Sequence, residues 1–307
     1  MITAKKLIRY ALDPSYRFIM NAGMGKYDSW SDEKYLQHMF KAKMHQKLDL
    51  SNPITYSEKL QWLKLYNRDP LYTTLVDKYE VKKYVSDKIG SQYIIPTLGV
   101  WDRFEDIDFD KLPNQFVLKC THDSGGLVIC KDKESLNIDE AKRKITKSLR
   151  TNYYLLGREW PYKNVKPRII AEEFKEDAKT AELRDYKFFC FDGVVKALFI
   201  ATDRQDKTTD TKFDFFDSNF NHLPFTNGHP NAKIIPEKPI HFDEMKELAS
   251  ILSEGMPHVR VDLYEINGEI YFGEMTFFHH GGMEPFVPAI WDKTFGDWIK
   301  LPLPNKR

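Results

Sequence analysis

Arg260 and Asp262 stand two residues apart in Val259-Arg260-Val261-Asp262-Leu263, and Glu274 and Thr276 stand two apart in Phe272-Gly273-Glu274-Met275-Thr276. Period two puts such pairs on one face of a strand. Between the runs lies Asn267-Gly268, a favoured two-residue hairpin connection. Both pairs are therefore expected side by side on one sheet face. Two carboxylates, a hydroxyl and a guanidinium on a rigid sheet make a hard-oxygen site, of the kind that holds Mg²⁺ bridged to substrate phosphates. The same letters also serve as cross-strand ion pairs on any exposed hairpin, so other stretches must decide.

A second group lies upstream. Phe116-Val117-Leu118-Lys119-Cys120 reads as a buried strand and Leu127-Val128-Ile129-Cys130 as its return. The turn between them, His122-Asp123-Ser124-Gly125-Gly126, offers backbone N–H groups that could wrap a polyphosphate, with Lys119 supplying positive charge. A plain hairpin would need no ligand. His122 is placed to contact a terminal phosphate or stands as a solvated turn residue. His279-His280 precede Gly281-Gly282; neighbours on a strand face opposite ways, so a loop contacting acceptor or phosphate is expected rather than a chelate. Arg204 and Arg184 suit an anionic substrate, against surface pairing with Asp203 or Asp185. Cys190 reads as a small buried filler, not a nucleophile.

The elements that must position these residues change character along the chain. Ile2 to Met24 is a short basic amphipathic pattern broken at Pro14, which either docks on its own domain or lies on an anionic membrane surface. Ser31 caps a helical pattern through Lys47, Thr55 opens another, and Tyr72 to Ile89 reads as a third. Residues 1–90 are thus a helical segment, read as a docking or acceptor-recognition region. Strand patterns follow at Ile94–Trp101, at the Lys119 hairpin, at Pro167–Phe174 and at Leu183–Ile200, interrupted by a charged helix from Glu134 to Thr151. Asp203 to Pro239 has little periodicity and is expected to be a long substrate-facing loop. His241 to Gly255 is an amphipathic helix leading into the Arg260 hairpin. The fold class is α/β, or α+β in the broader sense.

Composition narrows the function. The 307 residues are 42% hydrophobic and 14% aromatic, ample for a core. Lys and Arg total 46 against 45 acids, a net charge of +1, so nucleic acid is not an expected partner. The 3 cysteines, with no CxxC pair, point to reduced thiols and the cytoplasm. No apolar run approaches the roughly 20 residues of a spanning helix, and no signal peptide opens the chain, so a soluble protein is expected.

Taken in order, Asn52–Trp62 (Asn-Pro-Ile-Thr-Tyr-Ser-Glu-Lys-Leu-Gln-Trp), Asp77-Lys78-Tyr79, Phe116-Val117-Leu118-Lys119, Asp185-Tyr186-Lys187-Phe188, Arg260-Val261-Asp262-Leu263-Tyr264 and Phe272–Phe277 resemble the ATP-grasp superfamily. More narrowly they resemble its TupA-like branch, associated with bacterial surface polysaccharide genes. The resemblance implies two lobes with ATP between them: a small lobe over 91–170 with the phosphate flap and a C-terminal lobe over 171–307 with the metal site. It also implies roles. Lys78 and Lys119 look like the phosphate lysines, and the turn from His122 through Ser124, Gly125 and Gly126 looks like the mobile loop over the triphosphate. Ile170–Phe174 resembles the hinge that reads adenine, with Glu172 or Glu173 near the base and Phe174 at its end. Asp185 matches the acid that contacts the ribose, with Glu182 its rival, and Lys187 is expected to line the nucleotide cleft. Arg260 resembles the arginine that steadies the transferred phosphoryl group, while Asp262 and Glu274 resemble the Mg²⁺ carboxylates.

One position departs from the pattern. Superfamily ligases usually place Asn two residues after the second metal carboxylate, where this chain has Thr276. Its hydroxyl can ligate Mg²⁺ or orient a water, which leaves one or two metals open. The resemblance implies a carboxylate–amine ligase that works through an acyl phosphate and releases ADP. Its partners would be ATP, a carboxylate-bearing sugar or glycan, and an amine or amino acid, with Arg204, His279, His280 and Gly281 as the expected substrate contacts. A sugar or glycan kinase at the same site is the alternative. A glycosyltransferase is the third class, but Asp108-Phe109-Asp110 is the one Asp-x-Asp weighed for it, and it sits in a charged stretch before Pro113.

Overall fold

The computed structural model describes residues 4–178, 184–203 and 209–303. Six helices come first: α1 (Ala4–Leu12), α2 (Pro14–Gly23), α3 (Asp32–Met44), α4 (Tyr56–Tyr66), α5 (Leu71–Val76) and α6 (Val81–Ile89). Their starts follow from local chemistry. Asp13, Ser31 and Thr55 each accept a backbone N–H of the first turn, and Thr55 with Glu58 forms a reciprocal capping box. The single helix expected over Tyr72–Ile89 is instead two. Asp77 leaves helical geometry, its carboxylate takes the N–H groups of Tyr79 and Glu80, and the Lys78 N–H turns to the Thr121 carbonyl. A short acidic side chain that competes for backbone N–H groups breaks a helix in this way.

The next strands are β1 (Thr97–Trp101), β2 (Phe116–Cys120) and β3 (Leu127–Cys130), followed by α7 (Ile138–Leu149), α8 (Tyr154–Gly157) and β4 (Ile169–Glu173). They form an antiparallel four-stranded sheet in the order β1-β4-β2-β3. Phe116, Leu118, Ile169 and Ala171 pack with Ala141 and Ile145 of α7 to make its core. An expected lobe boundary at 170/171 falls inside β4, all of which belongs to this sheet. The charged helix expected from Glu134 begins at Ile138, because Asn137 caps it by accepting the Glu140 N–H.

The remaining elements are β5 (Asp185–Phe191), β6 (Val194–Thr202), β7 (Lys212–Asp217), β8 (His222–Leu223), β9 (Thr226–Asn227), α9 (Phe242–Leu252), β10 (Val259–Ile266), β11 (Glu269–Thr276), β12 (Phe286–Val287) and α10 (Ile290–Trp298). Six of them form an antiparallel sheet in the order β11-β10-β5-β6-β7-β8. The stretch expected as a long loop therefore contains three strands, the six-residue β7 and the two-residue β8 and β9. Phe213, Asp214, Phe215 and Phe216 are all buried there, so both faces are covered and no alternation marks the strand. Arg204 and Glu182 lie outside the described residues.

The largest core joins Phe188, Phe199 and Phe215 of this sheet to Leu248 of α9, Phe295 of α10 and Leu60 of α4. A smaller one joins Tyr35, Leu36 and Phe40 of α3 to Leu65 and Met283. The N-terminal segment is thus built into the C-terminal half. The Ser57 N–H donates to Asp292 at 2.9 Å, and the Tyr56 hydroxyl meets His258 Nε2 at 2.9 Å. Gly296 lets α10 approach so closely that a Cβ there would lie 2.3 Å from the Ile54 carbonyl. Among the described residues no helix is long and apolar enough to cross a membrane.

Candidate active site

The hairpin of β10 and β11 turns at Asn267 (φ 52°) and Gly268 (φ 82°), the left-handed pair that a tight hairpin requires. Its register sets Arg260 opposite Thr276 and Asp262 opposite Glu274. Beyond Asp262 the pairing slips by one residue at Gly273, a bulge that turns Glu274 toward Asp262. A Cβ on Gly273 would come within 3.0 Å of the Asp262 carbonyl and of the Tyr264 ring.

Arg260 is the hub of this face. Its Nε donates to Asp262 Oδ1 at 2.7 Å, and its Nη2 donates to Asp262 Oδ2 at 2.8 Å, to Thr276 Oγ1 at 3.0 Å and to Glu274 Oε1 at 3.2 Å. Its Nη1 donates to His279 Nδ1 at 2.7 Å. A guanidinium has no acceptor, so His279 Nδ1 carries the lone pair and Nε2–H donates to Asn227 Oδ1 at 3.1 Å. Burial, then His280 and Arg260, keeps the His279 pKa well below the ordinary value, which fits that neutral tautomer. His279–Gly282 forms a short 3-10 turn, not a strand, with His280, Gly281 and Gly282 at positive φ. Gln61 and Lys64 of α4 hold it: Lys64 Nζ donates to the Gly281 carbonyl at 2.7 Å, and Gln61 Nε2 to the Gly282 carbonyl at 2.9 Å.

Lys187 on β5 lies beside Asp262 in register, and its ammonium contacts Asp262 Oδ2 and, at 3.5 Å, Asp185 Oδ2. Burial works against the charge of Glu274, but Lys187, Arg260 and Lys78 prevail and hold its pKa at about 2. Among the described residues no group of three or more His, Cys, Asp or Glu is gathered to hold a metal alone. Asp262 and Glu274 with the Thr276 hydroxyl are nonetheless a donor set that suits Mg²⁺, which needs only one or two carboxylates when substrate phosphates and water complete its shell.

The four-stranded sheet supplies the opposite wall. Lys119 Nζ pairs with Glu172 Oε2 at 2.6 Å, and Lys82 Nζ with Glu172 Oε1 at 2.5 Å. Burial disfavours the Glu172 charge, but Lys119 and Lys82 outweigh it and lower its pKa. Lys78 reaches the Asp123 carbonyl of the flap. Asp123 shapes that turn, accepting the Gly126 N–H at 3.1 Å and the Ser148 hydroxyl. Ser124 Oγ lies 3.3 Å from the Tyr153 hydroxyl. Between the walls is a cavity of about 190 Å³, bounded by Lys78, Lys82, Lys119 and Glu172 on one side and Tyr264, Phe272, Gly273 and Glu274 on the other. Ser124 and Gly126 of the flap close one end.

Of the residues expected around a nucleotide, Lys78, Lys119, Ser124, Gly126 and Glu172 line this cavity, while Glu173, Phe174, His122, Gly125, Asp185 and Lys187 do not. Glu173 pairs with Lys175 at 3.1 Å, and Phe174 lies under Lys131. His122 is buried, with neither ring nitrogen hydrogen-bonded among the described residues. Lys82, on the first turn of α6, was not anticipated. His258, just before β10, and Asn227, on the two-residue β9, were also missed, and neither is marked by a local motif. A larger cavity of about 880 Å³, near Arg184, Asp203, Lys212 and Lys233, holds none of the hairpin's site residues.

Two sheets that face each other across a lysine-lined cleft, with paired carboxylates on the hairpin of the larger one, define an ATP-grasp protein. The chain belongs to the TupA-like ATP-grasp family, whose model matches residues 58–300. The helical N-terminal segment precedes both sheets. Solved structures similar to it include a D-alanine–D-alanine ligase from Bacillus anthracis complexed with ATP, at 18% identity and TM-score 0.39, covering 66% of this chain and 55% of that one. The ATP-grasp ligase PsnB, with a minimal precursor variant, Mg and ADP, is similar at 11% identity and TM-score 0.43 over 92% and 70% of the chains. A D-alanine–D-alanine ligase from Helicobacter pylori follows at 14% identity and TM-score 0.41 over 80% and 69%. No curated protein matches the chain.

Proposed function

We propose that this protein is an ATP-dependent carboxylate–amine ligase that activates a sugar acid or glycan carboxylate in cell-surface polysaccharide biosynthesis. The observation that carries this reading is Glu274, which lines the cleft opposite Lys78 and Lys119 and is joined behind it to Arg260, itself held by Asp262, Thr276 and His279. A carboxylate is a poor acyl donor, so ATP first converts it to an acyl phosphate, and phosphoryl transfer depends on cations that offset charge on the transferred group. Lys78 and Lys119 bind the nucleotide phosphates, with the Ser124–Gly126 turn closing over them. Asp262, Glu274 and Thr276 would hold Mg²⁺, which supplies charge neutralisation between phosphates. Arg260 orients the acyl phosphate and then stabilises the oxyanion formed as the amine attacks. The flap excludes water that would otherwise hydrolyse the intermediate.

The test is nucleotide release by purified protein with Mg²⁺ and ATP, against a matrix of uronic acids and amines, with mass spectrometry of the products. ADP and phosphate that appear only with both components, together with an amide mass, are expected. A phosphorylated hydroxyl product formed without amine would make the protein a kinase instead, and UDP released from a sugar nucleotide without ATP use would overturn the reading.

A further inference from the structure

The two cations that meet Glu172 in the cleft are not equivalent. Lys82 Nζ donates to Glu172 Oε1 at 2.5 Å, to the Ile95 carbonyl at 2.8 Å and to Thr97 Oγ1 at 2.7 Å. An ammonium has three N–H donors and no acceptor, so none is left for a ligand. Lys119 Nζ meets Glu172 Oε2 at 2.6 Å and, among the described residues, no other acceptor. Its remaining donors therefore stay free beside the cavity that it lines.

The register explains why the three side chains sit in a row. Glu172 of β4 lies opposite Thr97 of β1 and Val117 of β2, and Lys119 follows Val117 by two residues, on the same face. Lys82 reaches this face from the first turn of α6 and bonds both members of the Thr97–Glu172 pair. The carboxylate is buried, so its charge depends on the two ammoniums for compensation. The start of α6 is itself held at both ends of the cavity. Lys78 reaches the Asp123 carbonyl of the flap, and Asp77 takes Arg168, the residue before β4, at 2.8 Å.

We propose that Lys82 is a positioning residue of the nucleotide site: it fixes Glu172 and so leaves the Lys119 ammonium available to the nucleotide phosphates. This rests on the nucleotide site of the ligase reading above. With Lys82 in place, Glu172 shares its charge between two ammoniums, and phosphate draws on Lys119 against only part of the carboxylate's pull. Without it, Lys119 is the one counter-ion that a buried carboxylate has among the described residues, and Glu172 competes with phosphate for it. Helix α6, part of the segment expected to recognise an acceptor, thereby sets nucleotide affinity.

The experiment asks whether the effect of Lys82 passes through Glu172. Dissociation constants for ADP with Mg²⁺ and for adenosine are measured by titration calorimetry on wild type, Lys82→Met, Glu172→Gln and the double variant, with melting temperature as the check on folding. Lys82→Met is expected to raise the Kd for ADP roughly tenfold, the scale of one hydrogen bond to a charged group, and that for adenosine less than about twofold. In the Glu172→Gln background the same substitution should change the ADP Kd less than about twofold, because the carboxylate through which Lys82 acts is gone. Lys82→Arg, which keeps the charge, should recover most of the affinity, and Lys82→Gln carries the test if the methionine variant does not fold. An equal loss in both backgrounds would make Lys82 a structural tie or a direct ligand. That result, an equal loss for ADP and adenosine, or no loss at all would overturn the assignment while leaving the nucleotide site in place. A wild-type protein that binds no ADP removes the nucleotide reading itself, and the role of Lys82 falls with it.

Discussion

Arg260 satisfies four neighbours at once, and this makes the two carboxylates beside it unequal as probes. Asp262 is fully buried and takes two hydrogen bonds from Arg260 as well as the Lys187 ammonium. Asp262→Asn would leave two buried cations poorly compensated, so we expect a loss of roughly 3 kcal/mol or more of stability along with activity. Among the described residues Glu274 hydrogen-bonds Arg260 Nη2 and the Thr276 hydroxyl alone, and its side chain is 42% exposed, so water screens the pull of Lys187 and Lys78. Glu274→Gln should therefore keep its melting temperature within a few degrees while turnover falls roughly 100-fold or more; unchanged turnover in a folded Glu274→Gln would remove the hairpin from the mechanism. The placement of Arg260, Asp262, Glu274 and Thr276 on one face was legible, because period two and Asn-Gly are local signals. The partners of Arg260 outside the hairpin were not. Asn227 and His279 meet across 52 positions of chain.

At the scale of elements, the hairpin works because it is irregular. Its sequence carries a trace of the bulge: the aliphatic and phenyl positions run Ile270, Phe272 and then Met275, a slip of one at Gly273. Gly273→Ala is expected to cost about 1 to 3 kcal/mol as the Asp262 carbonyl and the Tyr264 ring are pushed aside, and to lower turnover more than Gly268→Ala, which meets nothing within 4 Å but is strained at φ 82° and so costs stability at the turn, away from the site. Chemical denaturation and ADP release on both variants check this. The split of α5 from α6 shows the limit of periodicity. Apolar spacing continues through Tyr72–Ile89, but Asp77 and Lys78 are drawn out of the helix by the Thr121 carbonyl and by Arg168, which holds Asp77 at 2.8 Å. Burial on both faces concealed β7 in the same manner.

For the whole molecule, the buried histidines set the acid limit. His258 donates from Nδ1 to the Cys190 carbonyl and accepts the Tyr56 hydroxyl at Nε2; burial first, and Arg260 next, lower its pKa to about 3. Below pH ~6.5 the unfolded chain takes up a proton that the folded one refuses until about pH 3, so this contribution to stability is present above pH ~6.5 and lost on acidification. Between pH 7 and 5 wild type should lose about 2 kcal/mol more than His258→Gln in urea unfolding; parallel losses would show that the site is not refusing the proton. At the other end of the molecule α1 buries none of its residues, exposing Leu7, Ile8 and Leu12 beside Lys5, Lys6 and Arg9. We propose that it touches anionic lipid, with sedimentation on phosphatidylserine vesicles expected to weaken at high salt and to disappear without residues 1–12. The capping of α4 has a consequence in time. The Ser57 N–H finds its partner at Asp292, 235 positions later, so on a ribosome that segment waits roughly 10 to 50 s for α10 to be made. Until then Tyr56, Leu60 and Leu63 have no cover from the far end of the chain, and a stop codon placed just before Ile290 should yield an aggregating product that chaperones retain.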